Sequence, residues 1–421
     1  MLGKDETVSM SLWTMVGLLV TLTALFSYLN QRFLKFPLTV GVMMGALMFS
    51  LLLIGLQTVG IPGVLPVQNI LRHMDFNRTM LDGFLGFLLF AGALTIDLHE
   101  LSRQKWVVGT LATCGVLLST VVIGVGSYWI FGKLGFTVGF LPCLLFGALI
   151  SPTDPIAVLA LLKHFSAPHH LKMQLAGESL FNDGVGVVLF FSLLAQNREG
   201  AFHLMHFVTL FIRQALGGIG YGFLLGLAAY HLVRSVNDYV TEIMVTLALV
   251  SGGYALAEWL GVSGPLAMVV AGLLIGNYAR RTAMTDTTRH ILDVFWHLVD
   301  ELLNAVLFVL MGLELLLIPV VKADIWAMIA VIPLVLGARW VSIALPYLFL
   351  RLRRDFMPGA ISILTWGGLR GGLAMAMALS LPLSSQRNVW IAVTYGVVIF
   401  SVLVQGTTVH KLLVKDTVST D

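Results

Sequence analysis

Two segments of this 421-residue chain put acids and hydroxyls inside otherwise apolar sequence. The first is Ser151-Pro152-Thr153-Asp154-Pro155. Neither proline has an N–H, so a helix running through this segment loses its bonds to the carbonyls of Ala148 and Ser151. At membrane depth, freed carbonyls are tolerated only where they line a cavity or bind something. The Thr153 hydroxyl and the Asp154 carboxylate sit in that gap. Oxygen ligands around a local break suit a small hard cation. The plainer alternative is a proline kink beside a buried, protonated acid.

The second segment is Gly177-Glu178-Ser179-Leu180-Phe181-Asn182-Asp183-Gly184. Ser179 and Asp183 are i,i+4 neighbours on one helical face, and Glu178 and Asn182 form a second such pair, rotated by one residue. One face is placed to bind an ion beside Asp154; the other is placed to pair with a cation from another helix. Arg339 and Arg370 are the candidate partners, because arginine keeps its proton and needs an acid or free carbonyls at depth. Arg370 sits among Gly367, Gly368, Gly371 and Gly372 and is expected to satisfy carbonyls and half-helix ends at a second break. That leaves Arg339 for Glu178, and no further cation for Asp183. Asp183, helped by Asp154, is then expected to hold either a proton or a cation. Glu258, Asp300, Glu301 and Glu314 read as nearer span ends or on less clear faces, and Arg213 is assigned no role.

These residues need a frame, and composition says what kind. The chain is 58% hydrophobic and only 11% charged, less than half the charge that a water-soluble domain carries, so most of its outside must face lipid. Glycine, at 42 residues, is abundant enough for close helix packing. The net charge of +3 is small and dispersed, and no basic run with interleaved aromatics points to nucleic acid. Cys114 and Cys143 both lie in apolar sequence and read as packing residues. Met1 to Met10 lacks a basic leader, so Ser11–Leu29 reads as a membrane helix, not a cleaved signal.

Thirteen stretches are long and apolar enough to cross a bilayer: 10–29, 36–57, 79–97, 106–131, 137–162, 171–195, 204–231, 239–260, 263–279, 293–318, 325–350, 356–381 and 388–411. The gap at 58–78, with Pro62, Gly63 and Pro66, reads as an external loop. Lys and Arg concentrate in alternate loops, among them Arg32, Lys35, Arg103, Lys105, Lys163, Lys172, Arg234, Arg280, Arg281, Arg289, Arg351, Arg353 and Arg354. Positive loops stay inside, so the N-terminus is expected outside and the C-terminus in the cytoplasm. Thirteen spans allow two six-helix repeats of opposite orientation around a single helix. The fifth and twelfth spans, which carry the two breaks, are then equivalent, and broken helices in matching positions mark a transport site. His164, His169 and His170 share one inner loop, read as solvated with a pH sensor as the alternative.

With these motifs in place, the chain resembles the monovalent cation/proton antiporters, specifically the Na+/H+ exchanger branch with its prokaryotic NhaP-type members. Gly177–Asp183 matches that family's G-E-S-x-x-N-D signature in full, Ser151–Pro155 is similar to its T-P-T-D-P-type break, and Trp366–Gly372 resembles its G-G-L-R-G motif. Phe308–Glu314 resembles its segment ahead of the last three-helix unit, and Arg339 sits where the family places the partner of the signature glutamate. The resemblance implies a single transmembrane antiporter domain over 1–421, with scaffold and dimer helices in 10–97 and 204–318 and an ion-binding core in 106–195 and 325–411. It implies Asp154, Thr153, Ser179 and Asp183 as cation ligands, with Na+ favoured over Li+ or K+. Asn182, Arg370 and the Glu178–Arg339 pair are implied as support. A homodimer in the cell (inner or plasma) membrane, taking a monovalent cation and H+ as substrates and membrane lipid as its surroundings, follows on the same ground. No cofactor is expected. Few residues follow the last span, so regulation through a long cytoplasmic tail is not expected either. Against an intramembrane enzyme, there is no His-Glu-x-x-His pair and no nucleophile with a base. Against an anion transporter, two carboxylates at the site repel anions.

Overall fold

A computed structural model describes residues 12–58, 79–156, 158–159, 162, 169–199, 202–318, 322–351, 359–384 and 386–409. All but the first residue of the expected external loop at 58–78, the stretch from Lys163 to Pro168 with His164, and the charged ends of the chain lie outside these residues. Where described, all thirteen predicted spans are helical over most of their length. In order they are α1 (Leu12–Leu29), α2 (Leu38–Thr58), α3 (Leu85–Thr95), α4 (Leu98–Thr110) running on into α5 (Val116–Lys133), α6 (Phe140–Ile150), α7 (His169–Glu199), α8 (Leu204–Ser235), α9 (Tyr239–Leu260), α10 (Gly264–Leu274), α11 (Asp286–Glu314), α12 (Lys322–Arg351), α13 (Ala360–Gly367), α14 (Gly372–Leu379) and α15 (Arg387–Phe400). Eight continuous helical stretches among the described residues are long and apolar enough to cross a membrane, the longest running from Leu98 to Lys133. Their outer faces carry large exposed apolar side chains, such as Trp129, Met205, Leu224, Trp259 and Trp326, as a lipid-facing surface requires.

Two helices begin earlier than hydropathy predicts. The fourth span starts at Leu98 instead of 106, because the Asp97 carboxylate accepts from the His99 and Glu100 amides and opens a polar first turn. The tenth starts at Asp286 instead of 293, capped by the Thr285 hydroxyl on Thr288 N–H. Polar turns of this kind carry no hydropathy signal, so an apolar count misses them. One consequence corrects the sequence reading: Asp300 lies mid-helix, half-buried, with its Oδ1 accepting from Asn304 Nδ2 at 3.0 Å. At the start of α9, Asp238 caps Thr241, whose hydroxyl and amide hold its carboxyl below the usual range.

Close packing rests on small residues. Along α8, Gly218, Gly222 and Gly226 form an i,i+4 ladder that lets α10 approach backbone to backbone. A Cβ on Gly222 would stand 2.6 Å from the Ala267 Cα, whereas one on Gly220 would meet nothing within 4 Å. Gly222→Val should therefore lower the melting temperature of the purified protein, by overpacking worth about 1–3 kcal/mol. Gly220→Val should leave it unchanged.

Candidate functional site

The two predicted breaks meet. Helix α6 stops at Ile150, Ser151 to Pro155 is extended or bent, and helix resumes at Ile156. Likewise α13 ends at Gly367 and α14 starts at Gly372. The two gaps lie against each other as a short antiparallel bridge, with Asp154 N–H donating to the Leu369 carbonyl at 2.8 Å. The Asp154 carboxylate turns back to accept from its own Ile156 N–H at 3.0 Å, capping the second half of the helix. Gly371 makes room for that carboxylate: a Cβ there would lie 2.5 Å from Oδ2.

Helix α7 brings the signature residues to the same point. Thr153 is gripped at every polar atom. Its carbonyl accepts from the Ser179 hydroxyl at 2.5 Å, its hydroxyl oxygen accepts from Asn182 Nδ2 at 2.8 Å, and its N–H donates to Asn182 Oδ1 at 3.3 Å. The residues of both predicted faces of α7 thus converge on one threonine. Asn182 also donates to Glu178 Oε1 at 2.8 Å. Arg339, from α12, forms a two-pronged pair with Glu178, Nη1 to Oε1 and Nη2 to Oε2, both at 2.7 Å. Both residues are buried.

Arg370, in the second break, reaches across to the first. Its Nη1 donates to the carbonyls of Ser151 and Pro152. Ser151 is one of the two carbonyls that the proline pattern frees, so Arg370 meets the expected need on the partner break. Asp183, by contrast, accepts no hydrogen bond among the described residues. It lies within electrostatic reach of Asp154 and Glu178 as like charges and of Arg370 as an opposite one. Of the four predicted cation ligands, Ser179 and Thr153 are engaged with each other, and Asp154 and Asp183 present the carboxylates.

Supports that sequence reasoning missed come from the last span. After α15 the chain widens into a π-helical turn, Ser401–Gln405. The Ser401 hydroxyl accepts from Arg370 N–H at 2.9 Å and donates to Gln405 Oε1 at 2.7 Å, and Gln405 Nε2 donates to the Trp366 carbonyl at 3.1 Å. The signal was an i,i+4 polar pair in an apolar span. On the other side, Ser151 Oγ bonds the hydroxyls of Ser119 and Thr120.

Two helices broken at a shared crossing, with carboxylates in the gap, define a polytopic secondary-transporter architecture. The chain belongs to the sodium/hydrogen exchanger family: the transmembrane family model matches residues 19–415. It is 47% identical over 405 residues to the Na(+)/H(+) antiporter NhaP of Pseudomonas aeruginosa, covering 95% of this chain and 96% of that one. It is 34% identical over 376 residues to the Na(+)/H(+) antiporter NhaH of Halobacillus dabanensis, covering 87% and 91%. Its fold matches the sodium proton antiporter MjNhaP1 of Methanocaldococcus jannaschii with a TM-score of 0.74 at 20% identity, over 96% of this chain and 99% of that one.

Proposed function

We propose that the protein exchanges a monovalent cation, Na+ first and also Li+ or K+, for H+ across the plasma membrane, with Asp183 as the exchanging group. The observation that carries this reading is the contrast between two acids five residues apart on α7. Glu178 is neutralised by a two-pronged arginine, whereas Asp183 has no bonded partner among the described residues and sits beside Asp154 at the crossing. An unpaired charge at that depth is expensive, so Asp183 holds either a proton or a cation. Asp154 supplies a second carboxylate ligand, and Thr153 and Ser179 supply oxygens beside it. Occupancy by either ion lets the core (helices in 106–195 and 325–411) move against a scaffold (10–97 and 204–318), and alternating access follows. The scaffold also forms a homodimer, with the N-terminus outside and the C-terminus in the cytoplasm.

One titrating group implies one proton per cation. Asn182, next to Asp183, is an amide and cannot titrate, and Glu178 is held ionised by Arg339. In proteoliposomes, an imposed Na+ gradient should drive proton flux with no net current. A membrane potential works at about 2.3 kcal/mol per charge per 100 mV, so imposing one should leave the equilibrium position unmoved. Current without coupled proton flux would make the protein a channel. A voltage-shifted equilibrium would mean a second titrating group, with Asp154 the one to test.

A further inference from the structure

A small cavity lies beside the second break. Its volume of about 10 Å3 is the room that one water needs. Arg339, Thr365, Gly368, Arg370, Val397 and Gln405 are among its lining residues. Three buried polar atoms of that lining have no partner among the described residues: Arg339 Nε, Arg370 Nη2 and Thr365 Oγ1. Both arginines are themselves almost wholly buried, at 5% and 2% exposure. Gln405, the other polar residue of this group, has its amide already committed to Ser401 and Trp366. Gly368 keeps the approach to Arg339 open, since a Cβ there would lie 2.5 Å from Nε.

We propose that this cavity is a built site for a single water molecule that joins Arg339, Arg370 and Thr365. The donor and acceptor balance fits. Water accepts one bond from Arg339 Nε–H and one from Arg370 Nη2–H, and donates one to Thr365 Oγ1. Three partners is the usual number for a buried water, and each of the three atoms would otherwise be left buried and unpaired. Two converging guanidinium N–H groups also invite an anion, but charge argues for a neutral guest. Arg339 is already matched by Glu178, and Arg370 lies within electrostatic reach of the carboxylates of Glu178 and Asp183. An anion would add negative charge beside carboxylates that already outnumber the free positive charge. The water has a consequence for Arg370. With Nη1 on two carbonyls and Nη2 on water, its bonds to neutral partners keep it from closing a salt bridge on the carboxylates, which stay free for a cation.

The test is a structure of the full-length protein at a resolution that shows water, solved in chloride and again in bromide. The expected result is one peak within hydrogen-bonding distance of all three atoms, with no bromide anomalous signal. Thr365→Val, which keeps the shape but loses the acceptor, should remove that peak and lower the melting temperature by a few degrees. Thr365→Ser should keep both. A bromide signal in the cavity, or wild-type density with nothing there, overturns the proposal. So does a Thr365→Val protein with an unchanged peak.

Discussion

Asp183→Asn is expected to abolish cation-dependent proton flux while the protein still reaches the membrane folded. The amide nearly matches the carboxylate in size, and Asp183 makes no hydrogen bond among the described residues that the change would break. Folding should therefore be untouched, and thermal unfolding of the purified variant checks this. Under the proposed mechanism, what is lost is the ability to carry a proton, and with it the competition that couples the two ions. In proteoliposomes the variant's flux should fall to that of protein-free vesicles. Flux at the wild-type rate would remove Asp183 from the mechanism. Asp154→Asn should be nearly as damaging, since it replaces a charged ligand by a weak one, and an unchanged cation affinity there would reduce the first break to a kink.

The Glu178–Arg339 pair should show the largest stability effects. Removing one partner of a buried pair typically costs about 3–5 kcal/mol, mainly through the charge left behind. Among the described residues, Arg339→Ala leaves Glu178 the Asn182 amide, and Glu178→Ala leaves Arg339 the Leu364 carbonyl at 3.3 Å beside the proposed water; neither is a charged partner. Arg370 lies within electrostatic reach of Glu178, but its Nη1 is held on the carbonyls of the first break, so it does not replace the two-pronged pair. Each single variant should melt well below wild type, and the double variant should lose much less than the sum, since it leaves no orphaned charge. Additive losses would show that the pair does not act as a unit. Transport should fall as well in Glu178→Ala. Glu178 Oε1 holds Asn182, and Asn182 holds the Thr153 hydroxyl and amide, so the loss travels two bonds to the first break.

Charge made this site legible in the sequence. Intramembrane charges are expensive enough that Glu178 had to find a cation, and Arg339 follows once Arg370 is given to free carbonyls. The prolines at 152 and 155 announce the first break, and the glycines around Arg370 the second. What stayed hidden carries no such cost signal. Nothing in the sequence says that Arg370 serves the carbonyls of the other break, more than 200 residues away. Ser401 and Gln405 are uncharged, so an apolar span absorbs them without notice. The early starts of α4 and α11 are polar turns, which a count of apolar residues leaves out. The convergence of both faces of α7 on Thr153 depends on how the broken helix bends, and a helical wheel treats every helix as straight.

The antiparallel bridge between Asp154 and Leu369 has a bearing on how such a protein can change over generations. Its bond is made by the main chain, N–H to carbonyl, and no side chain takes part. Substitutions at 154 or 369 leave that bond's donor and acceptor in place, provided neither becomes a proline at the donor. The architecture of the crossing is thereby inherited separately from the chemistry displayed in it. A lineage can exchange the side chains around the gap without reinventing the frame that holds them.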